Sequence, residues 1–346
     1  MTVPTSPRAF ARLPLAELHV HLEGSIAPST VVELAGRHGI RITREEAIAR
    51  YSYSNFAGFI ESFKWVTRLI REPEDFALIT ERLAQDLLRQ SVAYAEVTIS
   101  AGVMLLREQD IGANMAAIAE AGTAFQDRGL KLAWILDVVR QFSGEAAIAV
   151  AHAAAGLRSS GVVAFGIGGD ELALPLSEFR RAFDIARDAG LHIVAHAGEI
   201  GGPDSIREAI EVLGAERIGH GIAAINDLAL CDELAARQIP LEVCPTSNLA
   251  TGALALQRRK PAALLANHPL KELYDRGLRV TLSTDDPAMF HTNLRQEYGV
   301  AASLGFSTTE LVHLAENGFR AAFLPPEEKL TLIRTFRERA AALRLL

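Results

Sequence analysis

Cysteine is nearly absent. The 346-residue chain carries two, Cys231 and Cys244, too few for a disulfide framework, and a chain of this length needs none. A reducing, cytoplasmic setting is therefore expected. Positive charge is also in short supply: 35 basic residues against 42 acidic ones leave a formal net charge of −7. Such a surface exerts no broad attraction on nucleic acid or an anionic membrane, and the one dense basic run, Arg258-Arg259-Lys260, reads as a solvated loop. No apolar run approaches the roughly 20 residues that cross a bilayer. The segment 1–12, polar and carrying Pro4 and Pro7, lacks the apolar centre of a signal peptide. No repeat, low-complexity tract or linker divides the chain, so one domain over 1–346 is expected. What remains is 49% hydrophobic with a mean hydropathy of +0.15, enough to bury one large core.

Short apolar or alternating runs recur, each followed by a longer stretch with helical spacing. This rhythm predicts strands over 17–22, 93–99, 131–139, 162–167, 191–195, 217–219, 240–244 and 279–283. Eight β–α units predict an α/β fold of the closed (β/α)8, TIM-type barrel. Helices are expected over 28–38, 177–189 and 205–213, each ended by a glycine, Gly39, Gly190 and Gly214, as helices commonly are. The stretch 51–90 is longer than a simple crossover and places Phe56, Phe59, Phe63 and Trp65 at helical spacing. It is expected to form a helical lid after the first strand.

Barrels of this type carry their working residues at the C-terminal ends of the strands. The first strand ends in His19-Val20-His21, where two-residue alternation turns both imidazoles to one face. Alone, such a pair is more often two hydrogen-bonded core histidines than a metal site. The fifth strand, however, ends in His196-Ala197-Gly198-Glu199, the sixth in His220-Gly221 and the eighth in Thr284-Asp285-Asp286-Pro287. Buried ionisable groups cost several kcal/mol each unless paired or bound to metal, so four such strand ends point to a metal centre. His19, His21, His196 and Asp285 suit one Zn²⁺ or a similar borderline ion, with a position left open for water. An open position implies catalysis, because a metal lowers the pKa of bound water toward ~7. Glu199 is placed to exchange a proton with substrate, and His220 to hold or deprotonate the water. Cys244 reads as a small buried residue and His268, before Pro269, as structural. The glycines of Gly166-Ile167-Gly168-Gly169-Asp170-Glu171 suit close backbone approach to a flat ligand, since the Walker lysine and the G-x-G-x-x-G spacing are missing.

Five motifs together, Glu17-Leu18-His19-Val20-His21-Leu22-Glu23-Gly24, His196-Ala197-Gly198-Glu199, Arg217-Ile218-Gly219-His220-Gly221, Glu242-Val243-Cys244-Pro245-Thr246-Ser247-Asn248 and Ser283-Thr284-Asp285-Asp286-Pro287, resemble those of the adenosine deaminase family of the amidohydrolase superfamily. The resemblance runs from about Leu13 to Ala322, within a matched core of 12–322. It implies one Zn²⁺ per chain on His19, His21, His196 and Asp285. It further implies that Glu199 protonates purine N1, that His220 orients the attacking hydroxide, and that Asp286 contacts N7 and the incoming oxygen. The Gly169 N–H would bind N3, His21 and Glu23 would touch substrate, and Phe56, Phe59, Ile60 and Phe63 would cover it.

The resemblance makes a small purine nucleoside the partner and adenosine, converted to inosine and ammonia, the first expectation. Two features bear on that choice. Adenosine-specific members usually have Asp where this chain has Glu23, and residues 254–265 look inserted. Both, with the aromatic surface of Phe56 and Trp65, suit an alternative, aminodeoxyfutalosine with its aromatic 5′ extension; adenine is a third alternative, although its deamination needs no ribose-contacting carboxylate. A barrel that binds nucleosides without turnover is the non-enzyme alternative, but no ligand and no proton-transfer acid is missing. The fourth candidate strand has no lysine to bridge two metals, which favours a mononuclear centre.

Overall fold

The computed structural model describes residues 10, 12–53, 55–260 and 262–345, so most of the segment 1–12 lies outside the described residues. Its eight strands are β1 (Leu15–His21), β2 (Val92–Ile99), β3 (Lys131–Val139), β4 (Val162–Gly168), β5 (His192–Ala197), β6 (Arg217–His220), β7 (Leu241–Val243) and β8 (Val280–Leu282). They pair in parallel and in sequence order. Closure comes just past β8, where Val20 pairs with Asp285. The His21 N–H donates to the Asp285 carbonyl at 2.8 Å, and the Asp285 N–H donates to the His19 carbonyl at 2.9 Å. The expected (β/α)8 barrel is thus the observed one. The bonds that close it also seat Asp285 beside the two histidines of β1.

The strands are apolar because helices cover their outer faces and side chains fill the interior. Every residue of β1 is buried, as is every residue of β3 except its first and last. Helix Pro28–Arg37 is followed by Gly39 at φ +69°. A 3₁₀ turn, Leu176–Phe179, runs into helix Arg180–Asp188, and helix Pro203–Glu208 passes into a π-helical turn, Ala209–Leu213. Gly190 and Gly214 end these at φ +80° and +72°.

The stretch 51–90 is not one cap. Helix Phe56–Thr67 borders the cavity at the strand C-termini, with Phe56, Phe59, Ile60, Phe63 and Lys64 lining it. Helix Pro73–Arg89 instead packs against helix Ile111–Thr123 and β2 as an ordinary outer helix of the barrel. Trp65 also departs from expectation. It lies 5.2 Å under the Arg50 guanidinium and is absent from the cavity wall, because one helical turn cannot direct Phe63 and Trp65 to the same side. Among the described residues, no helix is long and apolar enough to cross a membrane.

Candidate metal centre

Imidazole and carboxylate atoms from four strand ends converge at the top of the barrel. His21 Nε2 lies 3.3 Å from Asp285 Oδ1 and 3.2 Å from His196 Nε2. His19 Nε2 lies 3.5 Å from Asp285 Oδ1. Donor atoms ~2.0–2.2 Å from one tetrahedral ion stand about 3.3–3.5 Å apart, so these spacings fit a single cation. His19 Nε2 is buried with no hydrogen-bond partner among the described residues, a cost that coordination removes.

The neighbours direct the donors. His19 Nδ1 donates to Glu242 Oε2 at 2.8 Å. Glu242 is itself paired at 2.6 Å with Arg217, which also holds Glu96 at 2.5 Å. Arg217 is only 1% exposed. Burial alone would protonate Glu242, but Arg217 and the His19 hydrogen bond hold it at about 2. His196 Nδ1 donates to the Ile167 carbonyl at 3.0 Å. In both rings Nε2 is left to face the cluster, the usual orientation of metal-bound histidines.

Electrostatics asks for one cation here. Burial pushes His21 and His196 down to about 3, so both are neutral with free lone pairs. Burial opposes charge on His19 as well, yet Asp285 and Glu242 pull it up to about 10. The carboxylates therefore demand a positive charge, which a divalent ion can supply in place of that proton. Asp285 and His220 hold positive φ, +66° and +62°, a conformation non-glycine residues keep only where surroundings enforce it.

His220 belongs to the same cluster by distance: His19, His196, His220 and Asp285 offer ligand atoms within 4.8 Å of one another. Its Nε2 lies 3.6 Å from Glu199 Oε2 and 3.9 Å from Asp285 Oδ2. Burial, reinforced by the charges of Asp285 and Glu171, raises Glu199 to about 8. A buried carboxylic acid beside the metal cluster can donate a proton at neutral pH. Asp286 is likewise raised, by burial and then by Asp285, and its Oδ1 is buried without a partner among the described residues. A Cβ on Gly24 would sit 1.7 Å from that oxygen, which is why glycine follows Glu23.

These groups line a cavity of about 260 Å³ together with Gly169, Asp137, Gln141, Phe142, Val103 and the aromatic face of helix Phe56–Thr67. Gly169 holds φ +92°, and a Cβ there would lie 2.3 Å from Gln141 Oε1. Glu23 is the expected contact that the structure sets back. It is absent from the cavity wall and accepts the Ser100 N–H at 3.0 Å through Oε1, since its longer side chain reaches the neighbouring strand end. A wider groove of 770 Å³ holds none of the strand-end residues, and its Arg320 and Arg337 are already paired with Glu316.

Sequence reading missed the supports of Glu199. Glu171 is 4% exposed and accepts the backbone N–H groups of Gly198, Glu199, Ile200 and Gly201 at 2.7–3.1 Å. Gln257 Nε2 donates to the carbonyls of Glu199 and Gly201, both at 2.8 Å. The turn bearing the acid is therefore gripped from both sides, one grip coming from the segment that looked inserted. A signal was available in Glu171, which with Asp170 directly follows a glycine run. Asp137, the single acid of apolar β3, was a second. Glu171→Ala should keep the metal but lower kcat about a hundredfold, the scale of a ~1 Å misplacement; an unchanged kcat would remove this role. Cys244 is buried, and burial pushes its thiol well above the usual range, as a structural cysteine requires.

The comparisons agree with this geometry. The adenosine deaminase family model matches residues 14–338. An aminodeoxyfutalosine deaminase of Streptomyces coelicolor is 44% identical, covering 93% of this chain and 83% of its own length. The crystal structure of an adenine deaminase from Arthrobacter aurescens superposes with TM-score 0.88 at 30% identity, over 95% of this chain and 99% of that one. An amidohydrolase from Burkholderia ambifaria with bound zinc gives TM-score 0.88 at 26% identity, over 99% and 96%. The chain belongs to the adenosine deaminase family of the amidohydrolase superfamily, hydrolytic deaminases of aminopurine-type substrates.

Proposed function

We propose that the protein deaminates a 6-aminopurine nucleoside with an apolar 5′ extension, of the aminodeoxyfutalosine type, at a single Zn²⁺ held by His19, His21, His196 and Asp285. One observation carries the reading: the cavity has two characters. Its floor is polar, with Glu199, His220, Asp285 and Asp286, whereas Phe56, Phe59, Phe63, Val103, Val139 and Phe142 form an aromatic and aliphatic remainder. Adjacent rings there lie 6.0 Å apart. A purine base uses the floor; the remainder suits a further apolar group. Adenosine, the first expectation from sequence, has no such group. The relatives described above carry the names of aminodeoxyfutalosine and adenine deaminases instead.

When bound, the metal makes water acidic enough to attack near neutral pH. The chain's own groups do the rest. Glu199 gives a proton to ring nitrogen N1, which opens C6 to attack. His220 and Asp286 hold the attacking water, and the Gly169 N–H meets N3. The C6–N bond then breaks; of the two protons of water, one replaces the proton Glu199 gave to N1 and the other leaves on the departing ammonia.

The test is kcat/KM measured side by side for aminodeoxyfutalosine, adenosine and adenine. Burying one more aromatic group contributes about 1.5–3 kcal/mol, so the extended nucleoside should lead adenosine by about 10–100-fold. The position of Glu23 favours a second reading, adenine deamination, because its side chain lies outside the cavity wall with Oε1 held by the Ser100 N–H. Adenine as the best substrate would establish it, and no turnover of any of the three would defeat both.

A further inference from the structure

By distance alone His220 is as good a metal ligand as His19 or His196, and by chemistry it could serve as a base. We infer that Asn248 and His268, neither of them a metal donor, set the tautomer of His220 so that it does neither and instead presents Nε2–H as a hydrogen-bond donor to the site.

The deduction starts from a proton whose position is not in question. The backbone N–H of Leu270 donates to His268 Nδ1 at 3.1 Å. His268 is 3% exposed, and burial, with Arg258 nearby, pushes it down to about 3. It is neutral, and its one proton must be on Nε2. That nitrogen faces Asn248 Oδ1 at 3.2 Å. Asn248 is fully buried, so its amide is held with oxygen toward His268 and nitrogen toward His220 Nδ1, 3.1 Å away. An amide nitrogen only donates. His220 Nδ1 therefore accepts, and the proton of this neutral ring sits on Nε2, facing Glu199 Oε2 and Asp285 Oδ2.

Two of the proposed ligand rings are set the opposite way. His19 and His196 spend their Nδ1 protons on Glu242 and the Ile167 carbonyl, which leaves Nε2 lone pairs for a cation. Ligand and non-ligand histidines thus differ not in distance but in what their far nitrogen touches. In His220 the Nε2 proton blocks coordination. It also excludes proton abstraction at Nε2, so His220 acts by donating to an oxygen at the site. Asn248 and His268 are positioning residues.

The tautomer can be read directly in zinc-loaded enzyme labelled with ¹⁵N-histidine. The His220 signals, identified by their loss in His220→Gln, should show a protonated Nε2 and a bare Nδ1 in long-range ¹H–¹⁵N correlation spectra. This readout does not depend on which aminopurine is the substrate. In Asn248→Asp the carboxylate accepts from both rings, so His220 should switch to Nδ1–H and kcat should fall about a hundredfold with KM little changed. His268→Gln keeps an amide donor toward Asn248 Oδ1 and should preserve both the tautomer and kcat. A wild-type spectrum with His220 protonated at Nδ1 would overturn the inference even if Asn248→Asp failed to fold. So would an Asn248→Asp enzyme with unchanged tautomer and kcat.

Discussion

Glu199→Gln should fold, keep its metal and lose between about 10² and 10⁴ in kcat, the range general acid catalysis supplies. Glutamine has the same shape and retains a partner for Thr251 Oγ1, 3.1 Å from Glu199 Oε1. Its main chain makes the same bonds to Glu171 and Gln257. What it lacks is a carboxyl proton to give. Burial and the neighbouring Asp285 keep that proton on Glu199 into the neutral range, so the substitution removes the proton donor and little else. KM should change by only a few-fold, and metal analysis should still find about one zinc per chain. A variant with wild-type kcat would show that another group delivers the proton.

Asp285→Ala should abolish turnover by a different route, through loss of the ion. Asp285 supplies the carboxylate that faces Nε2 of His19 and of His21, at 3.5 and 3.3 Å. Without it, three neutral imidazoles must hold a divalent charge by themselves. Ser247 Oγ, now 2.6 Å from Asp285 Oδ2, would be stranded as well. Metal content should fall from about one per chain to a small fraction of that. Because an ion that binds only the folded chain stabilises it by RT ln(1 + [L]/Kd), chelation of the wild type should lower Tm while leaving the Tm of this variant unmoved. Full zinc occupancy in Asp285→Ala would remove Asp285 from the ligand set.

The two expectations separate features of different legibility. His19, His21, His196, Glu199, His220, Asp285 and Asp286 were legible because each stands at the end of an apolar run, where a barrel core has no use for it. The groups that make them work were not. Glu171, Gln257, Asn248 and His268 come from turns and one-turn helices too short to show a period, and each acts through a backbone group or a ring nitrogen that spacing cannot locate. Glu23 marks a limit of the motif, which fixes where the residue is, not where its longer side chain goes. The lid was half legible: aromatic spacing marked helix Phe56–Thr67, but nothing in 73–89 distinguished a cap from an outer helix, since both need an apolar stripe.

By itself the sequence determined the barrel, its eight strands and the set of strand-end residues, because alternation and helical period are local consequences of backbone geometry. Only the tertiary structure decided which nitrogen of each histidine faces the centre, that Glu199 stays protonated, and where the cavity turns from polar to apolar. Those properties depend on burial and on partners more than 200 positions away in the chain, 223 for His19 and Glu242, and no local pattern encodes a contact at that range.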